Sequence, residues 1–199
     1  MKTSITFTIK AKIERDKMIR LRPYKSCDAD LIITWLKDEE TYIRWSGGRF
    51  GSFPITAKTI DAKYQNDNGG CTEPDNFYPM TALDENEVIG HLIMRYIRGD
   101  NKILRFGWVI VDSDKIGRGY GKRILKLSLK YAFEIFMAEK VTIGVYEDNI
   151  SAYYCYKSVG FHETSAAESE YDEINGQKKR IVELEITRDE YYKAAFLIS

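Results

Sequence analysis

A short stretch with three alternate glycines is the part of the sequence best suited to hold a ligand. Residues 114–123, DKIGRGYGKR, lie between an apolar run at 104–111 and a helix-like run at 124–136. Glycine loses more conformational freedom on folding than other residues, so this spacing indicates that something approaches the backbone closely. The start of a helix carries unpaired amides and a partial positive charge. The stretch therefore predicts a phosphate or pyrophosphate site.

Four cations, which we expect to be mobile, surround these glycines and leave two interpretations open. Lys115, Arg118, Lys122 and Arg123 can attract an anion, but lysines at every fourth position from 122 to 130 are also typical of an exposed basic face. Two common phosphate motifs do not fit. The dinucleotide fingerprint needs G-x-G-x-x-G, and the P-loop needs Ser or Thr directly after its lysine, where this chain has Arg123.

A second patterned segment, VYEDNISAYYCYKSVGF at residues 145–161, narrows the interpretation. The two segments together resemble the GNAT superfamily of N-acetyltransferases, whose signatures are [Q/R]-x-x-G-x-[G/A] and, further on, N-x-x-A-x-x-x-Y-x-K-x-G-F. The resemblance covers about residues 18–187, and residues 19–36 are similar to the subgroup that includes ribosomal-protein N-terminal acetyltransferases. Ile116 departs from the family, which usually has Gln or Arg there.

The resemblance implies acetyl-CoA as cosubstrate and a primary amine as acceptor. In the family the glycine turn binds the pyrophosphate, and the pantetheine arm lies like an added strand between two splayed strands. The cofactor-binding residues implied here are Val109, Ile110, Val111, Ile116, Gly117, Arg118, Gly119, Tyr120, Gly121, Lys122 and Asn149.

Tyr156 is the catalytic residue that the resemblance implies. The aligned tyrosine of the family protonates the departing thiolate, and a phenol of pKa about 10 is protonated and available at pH 7. A core tyrosine with a satisfied hydroxyl is the alternative. Gly107 fits a bulge whose freed amide polarises the thioester carbonyl. We name no general base, because Gly144 stands where some relatives carry Glu, which leaves ordered water or a carboxylate from another element.

The elements that must position these residues follow from hydrophobic periodicity and turn chemistry. Ser26 and Asp28 are predicted to cap the first helix and Thr56 the second, with a mobile loop at 66–76. The predicted strands cover 3–13, 18–24, both arms of a hairpin turning at 84–86, 104–111, 140–147 and the segment after 161, with a last hairpin at 175–176. Further helices are predicted at 124–137, at 149–158 with Asn149 as a candidate N-cap, and near the end of the chain.

This order predicts an α+β fold of the GNAT type. We expect a mixed, mostly antiparallel twisted sheet with one splayed parallel strand pair and flanking helices. Residues 1–17 would form an N-terminal extension with an extra strand, and residues 18–199 a single N-acetyltransferase domain. In the family, the first helices and a late loop build the acceptor side, here residues 45–54 and 163–177. Acidic residues of that loop could attract a cationic amine, or simply be solvated: Glu163, Glu168, Glu170, Asp172 and Glu173.

Composition bounds the remaining function classes. Lys plus Arg and Asp plus Glu each number 30, so charge gives no indication of a nucleic-acid or membrane partner. Three cysteines without C-x-x-C spacing and two histidines indicate neither a disulfide framework nor a metal site. We expect a cytoplasmic N-acetyltransferase acting on a small molecule or a protein N-terminus, with a homodimer as an open alternative to a monomer. A protein of the same fold that binds CoA or acyl-CoA and transfers little or nothing is the competing hypothesis.

Overall fold

An eight-stranded sheet forms the centre of the computed structural model, which describes residues 19–97, 100–164, 170–174 and 176–196. The spatial order of the strands is β1-β2-β3-β4-β5-β8-β6, and β7 also pairs with β8. Among the described residues only β4 and β5 pair in parallel. The strands are β1 (Ile19–Pro23), β2 (Phe77–Asp84), β3 (Glu87–Ile97), β4 (Asp100–Val111), β5 (Lys140–Tyr146), β6 (His162–Glu163), β7 (Glu170–Ile174) and β8 (Gln177–Thr187).

Helices cover both faces of this sheet. A single π-helical turn extends α3 to Asn66, and another extends α4 to Ile135. The helices are α1 (Ser26–Trp35), α2 (Glu39–Ser46), α3 (Ala57–Asp61), α4 (Tyr120–Lys130), α5 (Ile150–Lys157) and α6 (Arg188–Phe196). The predicted α+β architecture, with its single parallel pair and flanking helices, is confirmed.

Two hydrophobic clusters form because successive strand residues point to opposite faces. On one face, Leu104 and Phe106 of β4 are buried with the apolar side of α4 and with Tyr156 of α5. On the other face, Ile110 is buried with the side chains of α1, α2 and α3, among them Trp45, because one extra residue of β4 between Gly107 and Ile110 shifts the alternation. Each fully buried side chain of this size contributes about 1.5–3 kcal/mol. Strand β4 is therefore held between the two clusters.

Several predicted boundaries need correction. Helix α2 was not predicted, although Asp38 caps it by accepting the Thr41 amide at 2.7 Å and Gly47 ends it at φ +64°. The first helix is capped at Lys25 rather than at Ser26 or Asp28, because the Asp28 carboxylate reaches back to the Lys25 amide. Both predicted hairpins, the Thr56 cap and the closing helix are confirmed. The strand predicted at 3–13 lies outside the described residues.

Candidate active site

The parallel strands β4 and β5 part where the sequence placed the ligand. Their pairing begins at Ile103 opposite Lys140 and ends at Phe106 opposite Ile143. Beyond that point β4 remains paired with β3, while β5 remains paired with β8 through Tyr146. The predicted residues 109–111 therefore line one side of a gap that opens between the two strands. Backbone groups at such a gap can pair with an extended ligand as they would with a strand.

A β-bulge interrupts β4 at the beginning of this gap. Gly107 pairs with Ile93 and Ile110 pairs with His91, so two residues of β4 oppose one residue of β3. The bulge follows Gly107, as expected, but the left-handed residue is Trp108 at φ +47°, not the glycine. Neither Trp108 nor Val109 has a paired residue on β3.

The glycine turn leads directly into α4. Gly117 and Gly119 have φ of +80° and +81°, and a Cβ built on either meets no atom within 4 Å. These glycines are therefore required by backbone conformation on an open surface, not by packing. Gly119 is the N-cap of α4, and the Arg123 amide donates to its carbonyl at 3.2 Å. The amides before Arg123 are those that a helix leaves without intrahelical partners, so they can face an anion.

The structure divides the four predicted cations of this turn into two groups. Arg118 and Lys122 are exposed and form no ion pair with any described residue. By contrast, the Lys115 ammonium lies 2.7 Å from Glu87 and 3.6 Å from Asp112, and the Arg123 guanidinium lies 5.2 Å from the centre of the Tyr120 ring. The expectation of four mobile cations was therefore wrong for Lys115.

The other side chains of the turn take different positions. Ile116 is 71% exposed, so its apolar side chain is not part of the core. The Tyr120 hydroxyl donates to Asp84 at 2.7 Å, which connects the first turn of α4 to the end of β2. A Cβ on Gly121 would lie 3.4 Å from the Cys155 sulfur, so this glycine allows α4 and α5 to pack closely.

Tyr156 lies on the buried side of α5 and is 8% exposed. Its ring centre lies 6.3 Å from that of Phe161. No described residue forms a hydrogen bond with its hydroxyl. The alternative interpretation, a core tyrosine with a satisfied hydroxyl, would require such a bond. Burial raises the pKa of Tyr156 above its ordinary value of 10, so the phenol stays protonated. Burial also raises the pKa of the adjacent Cys155 thiol, which argues against a thiolate nucleophile there.

Asn149 is the N-cap of α5. Its side-chain oxygen accepts the Ala152 amide at 3.3 Å, which confirms the capping role predicted from the sequence. A contact between Asn149 and a pantetheine arm remains a prediction.

An ion pair that sequence reasoning missed fills the space above Gly144. The Arg105 guanidinium donates to both carboxylate oxygens of Glu183, at 2.6 and 2.7 Å, and Glu183 is directly opposite Gly144 in the β5–β8 register. A Cβ on Gly144 would lie 2.7 Å from both side chains. The period-two pattern of β8 indicates which face Glu183 occupies, but only the strand order brings it to Gly144.

The acidic residues predicted near the acceptor do not form one free cluster. Asp172 accepts the Tyr146 hydroxyl and a bifurcated bond from Arg49 at 3.1 Å, and Glu163 accepts the Tyr153 hydroxyl. Burial and the Asp172 bond raise the pKa of Tyr146. Glu168 lies outside the described residues. Aromatic rings instead dominate this side of the gap: Trp45, Phe50, Tyr64, Phe77 and Trp108.

The part of the chain that the structure describes shows neither a metal-binding cluster nor a helix that could cross a membrane. It contains no group of three or more His, Cys, Asp or Glu residues arranged to hold a metal ion. Nor does any described helix combine the length and apolar character needed to cross a bilayer.

Comparison with known proteins gives a consistent set of matches. Residues 18–162 match the model of the acetyltransferase (GNAT) domain. A spermidine N-acetyltransferase from Vibrio cholerae, solved with CoA and spermine, has a TM-score of 0.71 at 18% identity over 88% of this chain and 99% of that chain. A dodecameric form from the same organism has a TM-score of 0.68 at 18% identity over 90% and 99%.

A curated relative matches over a shorter stretch. It is a probable spermine N(1)-acetyltransferase from Bacillus subtilis subsp. natto (strain BEST195), and it is 30% identical over 74 residues. That stretch is 37% of this chain and 45% of the relative, so the match spans less than half of the relative's length.

Proposed function

Because this chain belongs to the GNAT acetyltransferase domain family, we propose that it transfers the acetyl group of acetyl-CoA to a primary amine of a small molecule. The observation that carries this proposal is the parting of β4 from β5 directly before the glycine turn that begins α4. One extended ligand can then pair with residues 109–111 and end with its pyrophosphate at the amides of the turn.

The proposed acetyl-CoA contacts follow this line. The amides of Gly117 and of residues 119–122 would bind the pyrophosphate, since the Arg118 amide already donates to the Lys115 carbonyl at 3.3 Å, and the exposed side chains of Arg118 and Lys122 would add charge. Because backbone amides would make most of the contacts to the pyrophosphate, the exposed apolar side chain of Ile116 need not weaken the site. The strand segment Val109–Val111 and Asn149 would contact the pantetheine arm.

The transfer itself needs an oxyanion donor and a proton donor. The amine nitrogen attacks the thioester carbonyl and forms a tetrahedral intermediate, whose oxyanion the freed amide of the bulge would stabilise. A single donor of this kind contributes about 3–4 kcal/mol elsewhere. When the carbon–sulfur bond breaks, Tyr156 would protonate the thiolate. The bridging of both Glu183 oxygens by Arg105 makes that carboxylate a poor base, so ordered water and a carboxylate from another element remain the two proposed routes for amine deprotonation.

The acceptor is proposed as a small-molecule amine, with polyamines as the first class to test. The relatives named above are described as acting on spermine or spermidine. Amino sugars, aminoglycosides and protein N-termini, the last suggested by the similarity to ribosomal-protein acetyltransferases, are the other acceptors to compare.

A non-catalytic CoA-binding protein is the second candidate. The observation that favours it is Gly144, because Arg105 and Glu183 fill the place of a carboxylate carried there by some relatives.

We also propose that the protein acts in the cytoplasm as a homo-oligomer. Cys27, Cys71 and Cys155 are free, as is usual in reducing compartments. A spermidine N-acetyltransferase from Vibrio cholerae with a similar fold is described as a dodecamer, and the sequence left the oligomeric state open with a homodimer as one alternative. Light scattering coupled to size-exclusion chromatography distinguishes monomer, dimer and larger assemblies.

The decisive experiment measures CoA release from acetyl-CoA with a panel of spermidine, spermine, an amino sugar, an aminoglycoside and a peptide with a free N-terminus. The released CoA is detected with a reagent that reacts with thiols. Blanks that contain the protein but no amine correct for the reaction of this reagent with the exposed Cys27. Amine-dependent CoA release supports the enzyme. A thermal shift with CoA but no release for any amine supports the binding protein, and no shift at all contradicts both.

A further inference from the structure

The bulge in β4 contains a backbone conformation that its own residue disfavours. Trp108 has φ +47°, in the left-handed region that few non-glycine residues and very few bulky ones adopt. Such a conformation persists only when the surrounding structure holds it in place. Since Trp108 and Val109 have no paired residues on β3, the sheet ladder does not supply that support.

Support comes instead from α2 and the aromatic cluster. The indole N–H of Trp45 donates to the Trp108 carbonyl at 2.8 Å, and Trp45 is 6% exposed. The Trp45 ring stacks on Phe50 with centroids 5.0 Å apart. On the other side, the Trp108 ring lies parallel to Tyr64, at 5.7 Å and an interplanar angle of 6°. Both the carbonyl and the ring of Trp108 are therefore fixed by the helical layer.

Fixing this carbonyl also fixes the amide that follows it. The peptide unit between Trp108 and Val109 is planar, so in its trans form the Val109 N–H points opposite to the Trp108 C=O. Because the carbonyl points toward Trp45 in the helical layer, the Val109 N–H points away from that layer. Rotation of this one peptide unit would redirect the donor that the bulge offers to a ligand in the gap.

We propose that Trp45 is a positioning residue for acetyl transfer, whose indole N–H holds the Trp108–Val109 peptide so that the Val109 amide faces the acyl carbonyl. The inference rests on the proposed function. It deepens that function by connecting α2, on the acceptor side, with the oxyanion donor through one hydrogen bond. A donor aimed in advance at the developing charge requires no rearrangement during the reaction.

The test removes this N–H and keeps the ring. Trp45→Phe is the first variant. Replacement of Trp45 by β-(3-benzothienyl)alanine, in which sulfur takes the place of the indole N–H, is the second and preserves ring size if the first does not fold. Trp35→Phe is the matched control, because Trp35 is buried in the same cluster and forms no hydrogen bond with a described residue.

Three measurements distinguish positioning from general stability. Hydrogen exchange of the peptide covering residues 104–112 should become about tenfold faster in both Trp45 variants and stay unchanged in Trp35→Phe. Turnover, kcat, should fall about 10- to 100-fold, with affinity for CoA within about threefold of wild type. The preference of the protein for acetyl-CoA over CoA should shrink, because only acetyl-CoA carries the carbonyl.

The outcomes separate this inference from the function on which it rests. Unchanged exchange in the benzothienyl variant, or unchanged kcat in an active enzyme, would overturn the role of Trp45. Equal losses in the Trp45 and Trp35 variants would show a purely structural role and overturn it as well. If the wild type acetylates no amine, the proposed function fails. Exchange and the acetyl-CoA preference then still decide whether Trp45 holds the bulge toward the acyl carbonyl.

Discussion

Removal of the Tyr156 hydroxyl should separate catalysis from folding unusually cleanly. In Tyr156→Phe the ring and its contact with Phe161 remain, and the lost hydroxyl has no hydrogen-bond partner among the described residues. A lost hydrogen bond would cost about 0.5–1.5 kcal/mol of stability, so its absence predicts a change near zero. Acetyl-CoA affinity should also remain near that of wild type, because the glycine turn is untouched.

The expected loss lies in the chemical step. A positioned acid accelerates a reaction by about 10²–10⁴-fold, equivalent to about 3–5 kcal/mol of transition-state stabilisation. Both kcat and kcat/KM should fall by this factor, as for an interaction made only in the transition state. Because burial raises the pKa of Tyr156 above 10, this group should cause no loss of wild-type turnover on the alkaline side up to about pH 10.

The assay combines steady-state kinetics with a melting curve for each variant. Tyr153→Phe is the matched control, since Tyr153 lies on the same helix and its hydroxyl bonds to exposed Glu163. It should keep normal turnover. Normal turnover in Tyr156→Phe, or a large loss of stability with unchanged activity per folded molecule, would refute the general-acid assignment.

Three further changes test the glycine turn, the buried histidine and the ion pair. Gly119→Glu should abolish the rise in melting temperature caused by acetyl-CoA, because a carboxylate would lie at the anion site. Gly119→Asn should retain part of that rise, because asparagine tolerates φ +81° better than glutamate does. Burial lowers the pKa of His91 to about 3, against 6.5 in the unfolded chain, so the unfolded state binds the extra proton and stability falls as pH falls below 6.5. Between pH 7 and pH 5 this histidine should lower the free energy of unfolding, measured with urea, by about 2 kcal/mol. A His91→Gln variant whose stability falls equally steeply with pH would contradict the assignment. Gly144→Ala should separate Arg105 from Glu183 and lower the free energy of unfolding by about 1–2 kcal/mol. If Gly144→Ala lowers it equally in a background where Arg105 and Glu183 are both changed to Gln, loss of the ion pair is excluded as the cause.

The sequence alone determined the features that depend on neighbouring residues in the chain. A left-handed N-cap at Gly119, the free amides of the following turn and the Asn149 cap each need only a few consecutive residues. The hydrophobic periodicity likewise predicted the α+β sheet and its parallel pair. The general-acid assignment of Tyr156 came from the family motif, and the structure adds that the residue is buried while its hydroxyl has no hydrogen-bond partner among the described residues.

Tertiary structure decided the contacts between residues that are distant in the chain. Glu183 reaches Gly144 only because β8 lies beside β5 in one register, and Trp45 reaches Trp108 only because α2 packs over the bulge of β4. Lys115 was expected to be mobile, but β3 brings Glu87 within 2.7 Å of its ammonium. The physical reason is that backbone conformation and amide exposure are set locally, whereas the partner of a side chain is set by strand order, register and helix packing.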